Sequence, residues 1–429
     1  MLDAVALIVA AGGLLVFFVS LSALAARRRE AGPSDWMVLG ILMLGVFQEA
    51  GILGSETILQ LTIVGFTAAC ALFAILLGRG SAPKPTRATV QGVALVWSAW
   101  LVMFLSDFYN NYSAGNVLLL RLAPGVMWLC VLMAWSVRQP RRDIAALGVA
   151  ATLGLASALV LASPEPFRAC DQFKCGALGA LLEGPFASEN YYALLAAATI
   201  ALALGTGLGR RVTLPLYATA GLVLVAAGSR SAQIALAVAL LVHLFYGDGR
   251  PRTPPRWAGW MAMPAAAGVG LWLVYNAKWD SFSNRGGVWI QGRETLAGHE
   301  LIGLGITRWS GYGSLPAVSH HYPHSFYLLA IFSGGMLALV LLLAGLAKGV
   351  TASDQGRGAR LVYASAFVVL GFTEADANLM SIDGLSWTLL PFFLLGAPAL
   401  IRQRREAERA GSQLSSDEFH KALTRGRTK

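Results

Sequence analysis

Long apolar runs recur along this sequence from end to end, and they leave room for little except membrane-spanning helices. A helix needs about 20 apolar residues to cross a hydrocarbon core of about 30 Å. Runs of this kind lie near 4–26, 36–54, 57–77, 88–106, 117–137, 143–162, 190–208, 212–228, 231–247, 257–276, 324–347, 361–377 and 384–401. Charged residues make up only 13% of the chain, about half the share of a soluble globular protein, which excludes a water-soluble enzyme. The expected fold is therefore all-α, a polytopic transmembrane helical bundle of about 12–13 spans.

Charge tests this reading independently, because cytoplasmic loops hold the excess Lys and Arg. With alternate loops taken as cytoplasmic, 25 of the 33 basic residues fall on that side, including the cluster Arg27, Arg28, Arg29 and the segment after Ile401. The other side holds Arg168, Lys174, Arg230, Lys278, Arg285, Arg293 and Arg308, and Arg121 sits inside a span. The net charge of +10 thus orients the chain in a bilayer, with membrane lipids around it and no nucleic-acid partner. Residues 1–401 are expected to form one transmembrane domain and 402–429 a basic cytoplasmic tail. The first run precedes its basic cluster instead of following it, so it is read as a retained helix and not as a signal peptide.

Two long loops face the outer side, 163–189 and 277–323. The first carries Cys170 and Cys175, which an oxidising compartment would join in a disulfide closing a short loop. Cys70 and Cys130 lie inside apolar runs and read as core residues. The second loop is the most informative stretch. Arg285, Trp289 and Arg293 are spaced four apart, so a helix keeps them on one face. Two guanidiniums flanking an indole at the membrane surface suit a ligand with phosphate charge. The same spacing also describes an interfacial helix whose arginines snorkel toward headgroups.

Pro323 then opens the run 324–347. Proline favours the first helical position, which puts His324 in the first turn, where the unpaired N–H groups attract anions and keep an imidazole neutral. There His324 is either a general base for a substrate hydroxyl or an interfacial histidine with no role. His320, His321 and His324 invite a metal reading, but Pro323 interrupts them and no carboxylate is adjacent, so no metal and no cofactor are expected. Arg230, in A-A-G-S-R-S-A-Q, is a third outward cation against the charge trend.

Together these elements resemble a known family. His324, Ser325 and Gly335 form H-S-x9-G, preceded by R-x3-W (Arg285, Trp289) and L-I-G-L-G (with Gly303 and Gly305). With G-S-R-S at 228–231 and E-N-Y-Y-A at 189–193, their order and common outer location are similar to the O-antigen ligase and O-antigen polymerase superfamily. Where that family often has a second glycine three residues after the first, this chain has Ala338. The resemblance implies a GT-C-like fold with a helical periplasmic loop, in the bacterial inner membrane, the C-terminus being cytoplasmic. It implies inverting, metal-independent transfer of a glycan from undecaprenyl diphosphate to a sugar hydroxyl of lipid A-core. Arg230 and Arg285 would bind the diphosphate and His324 would be catalytic, serving the acceptor, with Arg293 and Asn190 as weaker substrate-binding neighbours. An O-antigen or exopolysaccharide polymerase, joining lipid-linked repeat units, is the alternative within the family. Outside it stands a transporter of polysaccharide or lipid-linked sugar, for which Glu49, Arg121, Glu374 and Asp376 would be the intramembrane charges.

Overall fold

The computed structural model describes the chain except for residues 29–30, 50–55, 78–85, 112–114, 139, 164, 171–173, 185, 187, 207, 248–253, 310–322, 353–355, 375–378, 381–388, 390–392 and 394–429. It is an all-α bundle. The helices are α1 (Leu2–Ala26), α2 (Pro33–Glu49), α3 (Glu56–Leu77), α4 (Arg87–Asn111), α5 (Gly115–Val137), α6 (Arg142–Ala158), α7 (Glu189–Thr206), α8 (Arg210–Ala227), α9 (Arg230–Tyr246), α10 (Arg256–Tyr275), α11 (Ser281–Leu296), α12 (Ile306–Trp309), α13 (Phe326–Thr351) and α14 (Arg357–Thr373). A small antiparallel hairpin, β1 (Phe167–Ala169) with β2 (Ala180–Leu182), lies between α6 and α7.

Each expected span from 4–26 to 361–377 coincides with a helix, whereas 384–401 and the tail 402–429 fall almost wholly outside the described residues. Among the described residues, five helices are long and apolar enough to cross a membrane: Leu2–Ala26, Arg87–Asn111, Arg142–Ala162, Arg256–Tyr275 and Phe326–Thr351. Apolar stretches also run through α2, α3, α5 and α9, over Pro33–Gly45, Leu61–Leu76, Arg121–Val137 and Arg230–Tyr246. The chain is a multi-pass membrane protein, and its exposed side chains agree. Leu7 and Phe18 on α1, Leu72 and Leu76 on α3, Leu241 and Phe245 on α9, and Trp257 and Trp272 on α10 all face outward, an apolar surface far larger than a soluble monomer exposes.

Lipid tails are as apolar as leucine, so close backbone approach drives helix association in a bilayer. The α1–α6 pair shows it: a methyl group on Gly13 would lie 2.7 Å from the Gly154 carbonyl oxygen, and one on Gly154 would lie 2.6 Å from the Phe17 nitrogen. The largest helix contact, α4 with α13, brings Gly92 and Gly345 backbone to backbone in the same way.

One interruption positions the site. Helix α13 breaks at Gly334 and Gly335, the latter at φ 69°, and a break releases backbone groups that need partners. The segment 299–305 supplies them. The Leu304 N–H donates to the Phe332 carbonyl (2.8 Å), and the Met336 N–H donates to the Glu300 carbonyl (2.8 Å). Gly303 and Gly305 are also left-handed, at φ 80° and 81°, which only glycine adopts at little cost. The two glycine motifs of the sequence are therefore one interlocked joint. Beyond it, Asp107 at the end of α4 accepts from the Thr307 N–H (3.0 Å), the Thr307 hydroxyl (2.7 Å) and Asn111 (2.9 Å), tying α12 to the bundle.

Candidate active site

The loops that carry the minority cations converge at one end of the bundle. Gly228 ends α8 in the left-handed conformation, at φ 64° and ψ 20°, the common way to stop a helix, and Ser229 is the N-cap of α9. Arg230 is consequently the first residue of α9, and it is exposed. Its guanidinium makes no hydrogen bond or ion pair among the described residues. The next residue, Ser231, turns inward, and its hydroxyl donates to Glu374 Oε1 at 3.1 Å.

Glu374 is the centre of the cluster. It follows the last turn of α14 in extended conformation, with its N–H still donating to the Leu370 carbonyl (2.9 Å). Arg285 Nη1 on α11 donates to Oε1 at 2.9 Å and also to the Thr373 carbonyl. His324 Nδ1 stands 3.9 Å from Oε2, an ion-pair distance longer than a direct hydrogen bond. Side-chain exposure is 6% for Glu374, 18% for Arg285 and 29% for His324. The carboxylate is therefore buried and paired, while both partners keep a face toward solvent. Aromatic packing fixes the spacing: Phe326 of α13 meets Phe367 of α14 edge to face at 5.3 Å, and the Tyr327 hydroxyl donates to the Val368 carbonyl at 3.3 Å.

Several expectations change here. His324 is not in the first turn of a helix opened by Pro323. Ser325 is the N-cap, its hydroxyl accepting from the Leu328 N–H (3.5 Å), and α13 begins at Phe326. A serine side chain can cap a helix and proline cannot, so the helix starts three residues later. His324 is left outside it at φ 49°, a conformation costing a non-glycine residue about 1–2 kcal/mol. Nor does α11 lie on a surface as a free amphipathic helix. Gly286 to Ile290 are all buried, and Trp289 is fully so. Its indole N–H donates to the Pro323 carbonyl at 2.7 Å, so the tryptophan braces the loop and is closed to a ligand.

Of the weaker candidates, Arg293 caps α10, donating to the carbonyls of Val274 (3.2 Å) and Tyr275. Asn190 joins a separate polar cluster at the hairpin. Lys174 Nζ donates to Asn190 Oδ1 (2.6 Å) and Glu189 Oε1 (2.7 Å), while Arg168 pairs with Glu183 (3.2 Å) and Glu189 (3.4 Å). Burial alone would raise the Glu189 carboxyl, but the hydrogen bond and charge of Lys174, with Arg168, hold it below the ordinary range. Burial, together with the Glu189 charge, pushes Glu183 above it despite Arg168. Cys170 and Cys175 form the expected disulfide beside Lys174. This cluster abuts the Arg230 turn, for Gly176 packs on Gly228, a methyl group on which would lie 3.0 Å from the Gly176 Cα.

His320, His321 and Asp376 lie outside the described residues. Arg121 donates to the Met380 carbonyl at 2.9 Å. The residue that sequence reasoning left out of the site, naming it only as an intramembrane charge of a transporter, is Glu374, whose signal was present: an acid at the end of an apolar run. Protein-family models, curated proteins and solved structures were all compared with the chain, and none matches it.

Proposed function

We propose that this protein is an O-antigen ligase-like glycosyltransferase, moving a glycan from undecaprenyl diphosphate to a sugar hydroxyl of lipid A-core at the periplasmic face of the inner membrane. The observation that carries this reading is the Glu374 carboxylate, which faces both the His324 imidazole and the Arg285 guanidinium at the edge of an apolar bundle and accepts from Ser231, the sequence neighbour of Arg230.

Each group has a task in such a transfer. The acceptor oxygen attacks the anomeric carbon from the face opposite the diphosphate, and the carbon–oxygen bond to phosphate breaks with its electron pair leaving on the diphosphate. Arg230 and the remaining N–H groups of Arg285 meet that growing charge as fixed cations. With Glu374 on the Nδ1 side of His324, Nε2 is the nitrogen that takes the hydroxyl proton, and the carboxylate stabilises the resulting imidazolium. A site at the rim lets the polyprenyl tail stay in lipid while its headgroup reacts.

A deletion strain complemented with wild type or His324→Ala tests the proposal when its surface glycan is run on a gel. Long glycan missing from lipid A-core, with lipid-linked polymer accumulating in both the deletion and the variant, is the expected result. Accumulation of single repeat units would assign a polymerase instead. Unchanged glycan in the deletion strain would overturn both.

A further inference from the structure

Trp289 sits where a ligand-gripping indole was expected, yet it is wholly buried and its N–H is spent on the Pro323 carbonyl. Among the described residues, the two non-glycine residues with positive φ are Phe282 (54°) and His324 (49°). Both adjoin this indole. The Phe282 ring lies 5.1 Å from it, centroid to centroid, and the Pro323 carbonyl it holds belongs to the peptide unit that enters His324. Strained residues persist where surrounding structure over-determines them.

We infer that Trp289 is a positioning residue for His324, acting through the backbone. The indole N–H fixes the plane of the Pro323–His324 peptide on one side. The Ser325 cap fixes the start of α13 on the other. Between two anchored peptides the reversal of the chain falls on His324 alone, and its left-handed conformation sets the imidazole opposite Glu374. The R-x3-W spacing then has a physical meaning. Arg285 holds Glu374 and Trp289, one helical turn later, holds the backbone of His324, so a single face of α11 places both members of the carboxylate–imidazole pair. Without the N–H, the peptide before His324 is free to rotate and the residue relaxes toward ordinary φ, carrying the ring away from the carboxylate.

The inference rests on the transfer reading for its kinetic consequence but not for its structural one, so the test uses two readouts on the full-length protein in lipid nanodiscs. Trp289→Phe removes the donor. Replacing Trp289 by its sulfur isostere benzothienylalanine removes the donor while preserving the buried volume, which guards against a cavity effect. Both variants are expected to lose about tenfold or more in kcat with the donor KM within about twofold, because positioning acts on the transition state and not on donor binding. The carbethoxylation rate of His324, followed by mass spectrometry with diethyl pyrocarbonate, is expected to rise by about threefold or more as the ring leaves its partner. An isostere variant with wild-type modification rate at His324 would overturn the inference whatever its kinetics. If the wild type transfers no glycan but the modification rate rises in the variants, the positioning role stands and the transfer reading falls.

Discussion

Glu374→Gln isolates the electrostatic part of the proposed chemistry, since glutamine keeps an oxygen for the Ser231 and Arg285 hydrogen bonds and removes only the charge. In the proposed transfer His324 becomes an imidazolium, its Nδ1 standing 3.9 Å from the carboxylate. Unit charges about 4 Å apart interact by about 4 kcal/mol at an effective dielectric of about 20. His324 is 29% exposed and Arg285 already neutralises part of the carboxylate. These two facts reduce the stabilisation to about 2–3 kcal/mol, or about 30- to 150-fold in rate. The variant should accumulate in the membrane like wild type. In nanodiscs, with lipid-linked glycan and lipid A-core as substrates, its kcat should fall by that factor. Its donor KM should stay level or drop, because Arg285 loses a competitor for the diphosphate. A variant with kcat within about twofold of wild type would refute the carboxylate–imidazole reasoning.

Three further outcomes follow from separate parts of the structure. Gly335→Ala puts a methyl group against the Leu301 carbonyl at a left-handed position, so thermal unfolding should show a loss of about 1–2 kcal/mol or more. An unchanged melting temperature would mean that the α13 joint is not where the chain is constrained. Arg293→Ala should leave transfer intact while Arg285→Ala abolishes it, since Arg293 is occupied with the carbonyls that end α10; equal losses in kcat would return Arg293 to the site. Glu189, held below the ordinary carboxylate range by Lys174, contributes stability that is complete above the unfolded value of about 4.3 and fades as pH falls through the lower folded value. Hydrogen-exchange protection of the strands Phe167–Ala169 and Ala180–Leu182, taken relative to the intrinsic exchange rate at each pH, should accordingly fall on acidification below about pH 4. Lys174→Met should show that loss of protection already at neutral pH.

Much of this protein was legible from one dimension. Hydropathy runs locate helices because burying apolar side chains in lipid is a property of composition along a segment, and it needs no knowledge of neighbours. Loop charge set seven cations apart from the expected cytoplasmic majority, and Arg230 and Arg285, both at the candidate site, came from that minority. The glycine motifs were visible too, although not their purpose. Only the tertiary structure joined L-I-G-L-G to the break in α13, since the backbone groups that one releases are satisfied by the other.

The contacts that make a site were decided in three dimensions. Arg285 and Glu374 are 89 residues apart, and Trp289 and Pro323 are 34 apart. An ion pair or a brace at such separation leaves no periodicity behind. Local rules placed His324 inside a helix because Pro323 preceded it, but capping by Ser325 and the hold of Trp289 moved it out into a strained turn facing a carboxylate. Sequence alone therefore determined where the apolar helices lie along the chain and which residues were available for chemistry. Whether a cation is free, neutralised or used as a cap depends on the partner that folding brings to it, and that separated Arg230, Arg285 and Arg293.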